Sequence, residues 1–213
     1  VQQAVWAAGA VLVQMPTRAA ADGFRSNLAQ TDATTLVYHA KFESAVAQIR
    51  AELPKLQNLI RVGAPEDAVV DALDFTTLVS TQPTSRPAVD IDEHDEAYVL
   101  FTSGSTGEPK GVVNSHFTWS YYSISAGLEI GDIAFGEVFA HGPPLTHFSQ
   151  IFVMPTFVRG GTNVMLPGLD GLQIGPHVWD RLFNNPSPAG IWNGQYARAF
   201  LVGAPSFEPR PRL

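Results

Sequence analysis

The sequence predicts an α/β fold in which helices cover a largely parallel sheet, and three observations carry that expectation. Short apolar runs alternate with helix-like stretches along the chain, the βαβα order that parallel strands joined by crossovers require. The 213 residues are enough to bury one sizeable core. Hydrophobic residues make up 45% and charged residues 15%, the balance of a folded body rather than of a disordered chain.

The elements follow in order. Residues 3–8 form a helix stopped at Gly9, and residues 10–14 a short buried strand. A helix over 22–30 precedes a β-branched, apolar strand over 34–38. Residues 42–52 form the next helix, ended near Pro54, and 58–62 the next strand. Residues 82–90, with two prolines among Ser and Thr, are an exposed connection. The strand over 97–101 runs straight into a glycine-rich loop. After it come a helix over 117–126, a strand over 137–140, a helix over 150–158 and, past Gly160 and Gly161, a strand over 162–166. No internal repeat is present.

Composition removes several function classes. The net charge of −7 is a poor match for nucleic acid, whose binding needs a basic face against phosphates. If an anion such as ATP is bound, it must therefore be held by a local arrangement, not by a global field. No cysteine is present, which excludes disulfides, thiolate metal sites and a cysteine nucleophile, and agrees with a cytoplasmic protein. No apolar run reaches the roughly 18 to 20 residues of a membrane span. The greasiest stretch, 4–15, is broken by Gly9 and Gln14 and lacks the basic flank of a signal peptide. The chain opens at Val1 within a hydrophobic pattern and closes on a proline and arginine tail, so both ends read as cut. The acidic run Asp90, Asp92, Glu93, Asp95 and Glu96 could ligate a metal, but such runs are more often solvated lead-ins to a strand.

The chemistry lies in the loop. Residues 98–113 read Tyr-Val-Leu-Phe-Thr-Ser-Gly-Ser-Thr-Gly-Glu-Pro-Lys-Gly-Val-Val. Gly104, Gly107 and Gly111 allow positive φ and close approach of backbone to a ligand, and successive N–H groups in such a loop can cup an anion. Thr102, Ser103, Ser105 and Thr106 add hydroxyl donors for phosphate oxygens. Lys110 supplies the positive charge, and Pro109 stiffens the exit. Neither the Walker pattern nor Gly-x-Gly-x-x-Gly fits: five residues beyond Gly104 stands Pro109.

Residues 102–111, Thr-Ser-Gly-Ser-Thr-Gly-Glu-Pro-Lys-Gly, resemble the phosphate-binding signature of the adenylate-forming superfamily, which includes acyl-CoA synthetases, firefly luciferase and adenylation domains of nonribosomal peptide synthetases. The resemblance extends to Trp6-Ala7-Ala8-Gly9-Ala10-Val11-Leu12-Val13, similar to an upstream helix-strand step. It also covers Pro143-Pro144-Leu145-Thr146-His147-Phe148-Ser149 with Gly160-Gly161-Thr162, similar to the segment bordering the acyl pocket. It implies a Rossmann-like layered N-terminal domain portion over 1–166, with 167–213 a divergent or truncated tail of the same domain. It implies ATP with Mg²⁺, attack of a carboxylate on the α-phosphate with release of pyrophosphate, and acyl transfer to CoA or a carrier-protein thiol. Nucleotide-binding roles fall on Thr102, Ser103, Gly104, Ser105, Thr106, Gly107 and Lys110, and an acyl-pocket role on His147. His116 matches a histidine that many members place at the start of the following helix; it reads equally well as a plain helix-start residue.

Elsewhere the pattern departs. Asn193-Gly194-Gln195-Tyr196 lacks the Thr and Glu of the family's adenine and magnesium segment, so those roles are not carried over and no catalytic residue or metal ligand is assigned. His141 and His147 stand six apart, but no carboxylate or cysteine accompanies them for zinc. The superfamily's amino-acid activators resemble one another in an aspartate around the position of Phe148 that pairs with the substrate ammonium. Residues 147–152 here carry no acid, and an unpaired buried ammonium is costly, so the resemblance favours a fatty or aromatic acid over an amino acid. Phe117, Trp119, Tyr121 and Tyr122 read as packing on the helix behind the loop. The expected parent is a fatty-acid–CoA ligase, with this chain alone inactive. The alternatives are a nucleotide-binding remnant without catalysis and an amino-acid-adenylating domain.

Overall fold

The computed structural model describes residues 1–17, 19–65, 67–102, 109–129, 135–136, 138–141, 145–146 and 148–165. They belong to two compact units, Val1–Phe117 and Thr118–Leu213.

In the first unit, α1 (Gln2–Ala7) leads to β1 (Leu12–Gln14). Gly9 ends the helix at φ +67°, and the Ala10 amide returns to the Val5 carbonyl at 3.0 Å, a left-handed helix stop that favours glycine. A Cβ there would also meet Val89 Cγ1 at 2.8 Å, so the 82–90 connection, exposed as expected, is pinned at this point. Next come α2 (Ala21–Gln30), β2 (Thr35–His39), α3 (Glu43–Arg50) and β3 (Asn58–Val62), close to the sequence expectation. Phe24 and Leu28 of α2 and Val46 and Ile49 of α3, at i+4 and i+3 spacing, pack on Leu36, Tyr38 and Leu59 of the strands.

Between β3 and the 82–90 connection two small elements escape the sequence reading: β4 (Leu73–Asp74) and α4 (Phe75–Thr81). The α4 sequence FTTLVST is rich in β-branched residues, which disfavour helix. Its start is fixed instead by Asp74, whose carboxylate accepts from the Thr77 amide at 2.8 Å. That aspartate is the signal a sequence reading could have used.

The acidic run forms a turn in which the Asp92 amide donates to Asp95 Oδ2 at 2.9 Å, and it leads into β5 (Glu96–Thr102). Ala97, Tyr98, Val99 and Phe101 are buried in succession, the pattern of a strand covered on both faces. β5 pairs in parallel with β1, Leu12 opposite Tyr98, and antiparallel with β6 (Lys110–Ser115). The two sheets of this unit run β1-β5-β6 and β2-β3-β4.

α5 (His116–Glu129) carries the chain into the second unit, where β7 (Val138–His141) pairs in parallel with β8 (Thr162–Met165). Ala126 packs with Phe139 and Phe152. The helix expected over 150–158 is a 3-10 turn, Phe148–Phe152, followed by α6 (Val153–Val158). Among the described residues only the β5–β6 pairing is antiparallel, so the sheets are largely parallel. No described helix is long and apolar enough to cross a membrane. The tail 167–213 lies outside the described residues.

Candidate functional site

The site begins where β5 ends. Thr102 and Lys110 are the terminal partners of the β5–β6 ladder, and Phe101 faces Gly111. The sequence reading placed Lys110 within the phosphate loop; the structure makes it the first residue of β6. The hairpin thereby holds a hydroxyl and an ammonium side by side at one end of a rigid ladder. Both residues are exposed, and Thr102 Oγ1 lies 3.5 Å from the Lys110 carbonyl. Ser103, Gly104, Ser105, Thr106 and Gly107 lie outside the described residues. Lysine is a compact, strongly hydrated charge that suits a phosphate oxygen.

Gly111 has a packing reason for being glycine. A Cβ at this position would stand 2.9 Å from Val99 Cγ1 and 3.4 Å from the Phe101 ring. β6 itself was missed from sequence, although Val112 and Val113 offered a β-branched signal directly after the loop.

His116 opens α5, and its amide donates to the Asp95 carbonyl at 3.1 Å. Its ring stands edge-on to Trp6 with centroids 6.0 Å apart, and Trp6 Nε1 donates to the Ala97 carbonyl at 2.8 Å. Ser115 faces Glu96, at the far end of the ladder from Thr102. The length of β5 from Glu96 to Thr102, at ~3.3 Å per residue, separates the two ends by roughly 20 Å. The structure therefore brings Thr102 and Lys110 together and places His116 at the start of α5, at the other end of the ladder.

In the second unit His147 lies outside the described residues. Thr146, just before it, is buried. His141, at the end of β7, is 2% exposed and donates from Nε2 to Asn163 Oδ1 at 2.6 Å; Asn163 in turn donates to the Val153 carbonyl at 3.3 Å. This link ties β7 and β8 to the start of α6, a structural place for His141.

The described residues set an exposed ammonium beside a hydroxyl at a strand pair. They hold no group of three His, Cys, Asp or Glu residues that could bind a metal ion.

Comparison with known proteins shows the family. The family model described as AMP-binding enzyme matches residues 1–189. The chain is 44% identical over 93 residues to the medium-chain acyl-CoA ligase Mig of Mycobacterium avium, covering 40% of this chain and 16% of that protein. It is 29% identical over 167 residues to the 4-hydroxybenzoate–CoA/benzoate–CoA ligase of Rhodopseudomonas palustris, covering 75% of this chain and 29% of that protein. The solved structure of the anthranilate CoA ligase AuaEII with anthranoyl-AMP superposes with a TM-score of 0.71 at 22% identity, over 84% of this chain and 34% of that one, which shows the fold. The chain thus spans about a third or less of the length of these proteins. With its model matching 1–189, the chain belongs to the AMP-binding enzyme family.

Proposed function

We propose that this chain is the phosphate-holding part of an ATP-dependent acyl-activating ligase. In that reaction a carboxylate oxygen attacks the α-phosphate of ATP, forming acyl-AMP as the bond to pyrophosphate breaks. A thiolate of CoA, or of a carrier protein, then attacks the acyl carbon and AMP leaves. The observation that carries the reading is the hairpin that pairs Thr102 with Lys110 across a loop of Ser, Thr and Gly. Lys110 neutralises phosphate charge, and the hydroxyls of Thr102, Ser103, Ser105 and Thr106 donate to its oxygens. Mg²⁺, when bound, would supply further neutralisation of the phosphate charge that Lys110 meets at the hairpin.

Of the acids such a ligase could take, we favour a fatty acid, with an aromatic acid next. The similarity to a medium-chain ligase supports the first and the similarity to a benzoate ligase the second. The acid-free stretch 147–152 disfavours an amino acid. The family match extending to residue 189 supports taking 167–189 as continuing the domain of 1–166. A second reading, nucleotide binding without catalysis by this chain alone, is favoured by the third or less of its relatives' length that it spans. Both readings require ATP to bind. Calorimetric titration of the 213-residue chain should detect ATP, and Lys110→Ala should weaken it about tenfold or more, the value of one charge-assisted contact. Equal affinities would remove Lys110 from the phosphate site. Pyrophosphate release with ATP and a fatty acid separates the readings: a turning-over chain excludes the second.

A further inference from the structure

The chain has three lysines, and the structure puts each in a different state. Lys55 is ion-paired, its Nζ 2.7 Å from Asp32 Oδ2. The Lys41 ammonium lies over the Phe42 ring, 4.9 Å from its centroid. Lys110 is exposed and has neither an ion pair nor a ring contact among the described residues. An ammonium held by a carboxylate or a ring gives up that contact when it loses its charge, and Lys110 gives up none. It is also the lysine that stands where the phosphates are proposed to bind, opposite Thr102 at the end of the ladder.

The intermediate formed at such a site is an electrophile. An acyl-AMP is a mixed anhydride whose acyl carbon stands one oxygen away from the α-phosphorus. Once pyrophosphate has left, the α-phosphate is the phosphate charge that remains. A lysine drawn to it on a flexible four-carbon stem brings its nitrogen within reach of the acyl carbon. A thiol competes for the same carbon, so attack by nitrogen shows when the thiol is scarce.

We propose that Lys110 is a self-acylation site, modified by the acyl-AMP when no thiol takes the acyl group; this rests on the phosphate-holding role of the hairpin. The ammonium first yields a proton to water. Its lone pair then attacks the acyl carbon. The C–N bond forms as the bond between that carbon and the phosphate oxygen breaks, and AMP leaves with the electron pair of the broken bond. A second proton passes from nitrogen to solvent, and a neutral amide remains. Acylation removes the charge that Lys110 offers to ATP, so the modification closes the site to the next nucleotide. A ligase short of thiol thereby stops consuming ATP.

The 213-residue chain tests this without having to catalyse, because the acyl donor can be supplied ready-made. Octanoyl-AMP is the probe, matching the fatty acid favoured above. The octanoyl ester of N-hydroxysuccinimide, which carries no phosphate, gives the intrinsic reactivity of each amine. Peptide mapping by mass spectrometry compares Lys110 with Lys41, Lys55 and the Val1 amine in the same molecule. Octanoyl-AMP should raise the share of label on Lys110 about tenfold or more over the phosphate-free ester, and excess ATP should remove that preference. Calorimetry on the modified chain should find ATP bound about tenfold or more weakly, as for Lys110→Ala. The same distribution of label from both reagents overturns the proposal, as does label at Lys110 that ATP does not suppress. So does label that alkaline hydroxylamine removes, which marks an ester on a neighbouring hydroxyl. Failure of the underlying reading looks different: Lys110→Ala then leaves ATP affinity unchanged, which overturns the phosphate site and this proposal together.

Discussion

Replacing Glu43 by Gln should destabilise the first unit by about 3 kcal/mol at neutral pH, and the value follows from its contacts. Glu43 opens α3 but is only 5% exposed. Its Oε2 accepts from the Tyr38 hydroxyl at 2.8 Å. Its Oε1 accepts from Arg61 Nη1 at 3.1 Å and from the amides of Val69 and Val70 at 3.1 and 2.9 Å. One carboxylate thus ties β2, β3 and the backbone that leads to β4. Glutamine keeps the shape: its carbonyl can still take the three bonds at Oε1, and its NH₂ can donate to the Tyr38 oxygen. What disappears is the charge, worth about 1 kcal/mol at each of those three bonds, the difference between charged and neutral partners. A loss of that size should lower Tm by about 6–12 °C in a chain of this length.

The same group makes the effect depend on pH. Burial pushes the Glu43 carboxyl up, but the Tyr38 hydroxyl, the Val70 and Val69 amides and the Arg61 charge together outweigh it and hold the folded value below the ordinary 4.5. A depressed carboxylate contributes stability that is fully present above its unfolded value and is lost as pH falls through the folded one. The gap between native protein and Glu43→Gln should therefore be full at neutral pH and close below pH 4.5. Urea denaturation followed by circular dichroism across that range measures it. Equal stability at neutral pH, or a gap that stays open in acid, would refute the assignment of a charge effect.

Three further outcomes are expected. Gly111→Ala should cost about 1–3 kcal/mol by overpacking Val99 and Phe101 and should loosen ATP binding with it; an unchanged urea midpoint would show that the hairpin can open without penalty. Trp6→Phe keeps the aromatic packing but removes the donor to the Ala97 carbonyl, so a loss of about 0.5–1.5 kcal/mol should appear in the same assay, and no loss would mean that water replaces the indole. In a whole ligase carrying this sequence, His147→Trp should lower kcat/KM for the acid while ATP affinity holds, since acyl chains are bound by packing at about 0.8 kcal/mol per CH₂. Loss of ATP affinity with unchanged acid selectivity would move His147 out of the acyl pocket.

By itself the sequence determined the features whose cause is local. The β-branched run of β2, the helix stop at Gly9 and the Ser/Thr/Gly loop with its lysine are each written within about ten residues, and helices, strands and family could be read from them. α4 was missed because its β-branched composition speaks against a helix while a single aspartate cap decides for one. What depends on pairing across the chain was left to the tertiary structure. The β5–β6 register sets Lys110 beside Thr102 and His116 at the other end of the ladder, and no window of sequence contains that choice. Glu43 reads as an ordinary first-turn glutamate, yet it becomes a buried anchor because Arg61 and the amides of Val69 and Val70 converge on it from 18 to 27 residues away. Intrinsic preferences act over a turn or a strand, whereas register and buried charge are fixed by which distant backbone and side-chain groups must satisfy one another once water is gone.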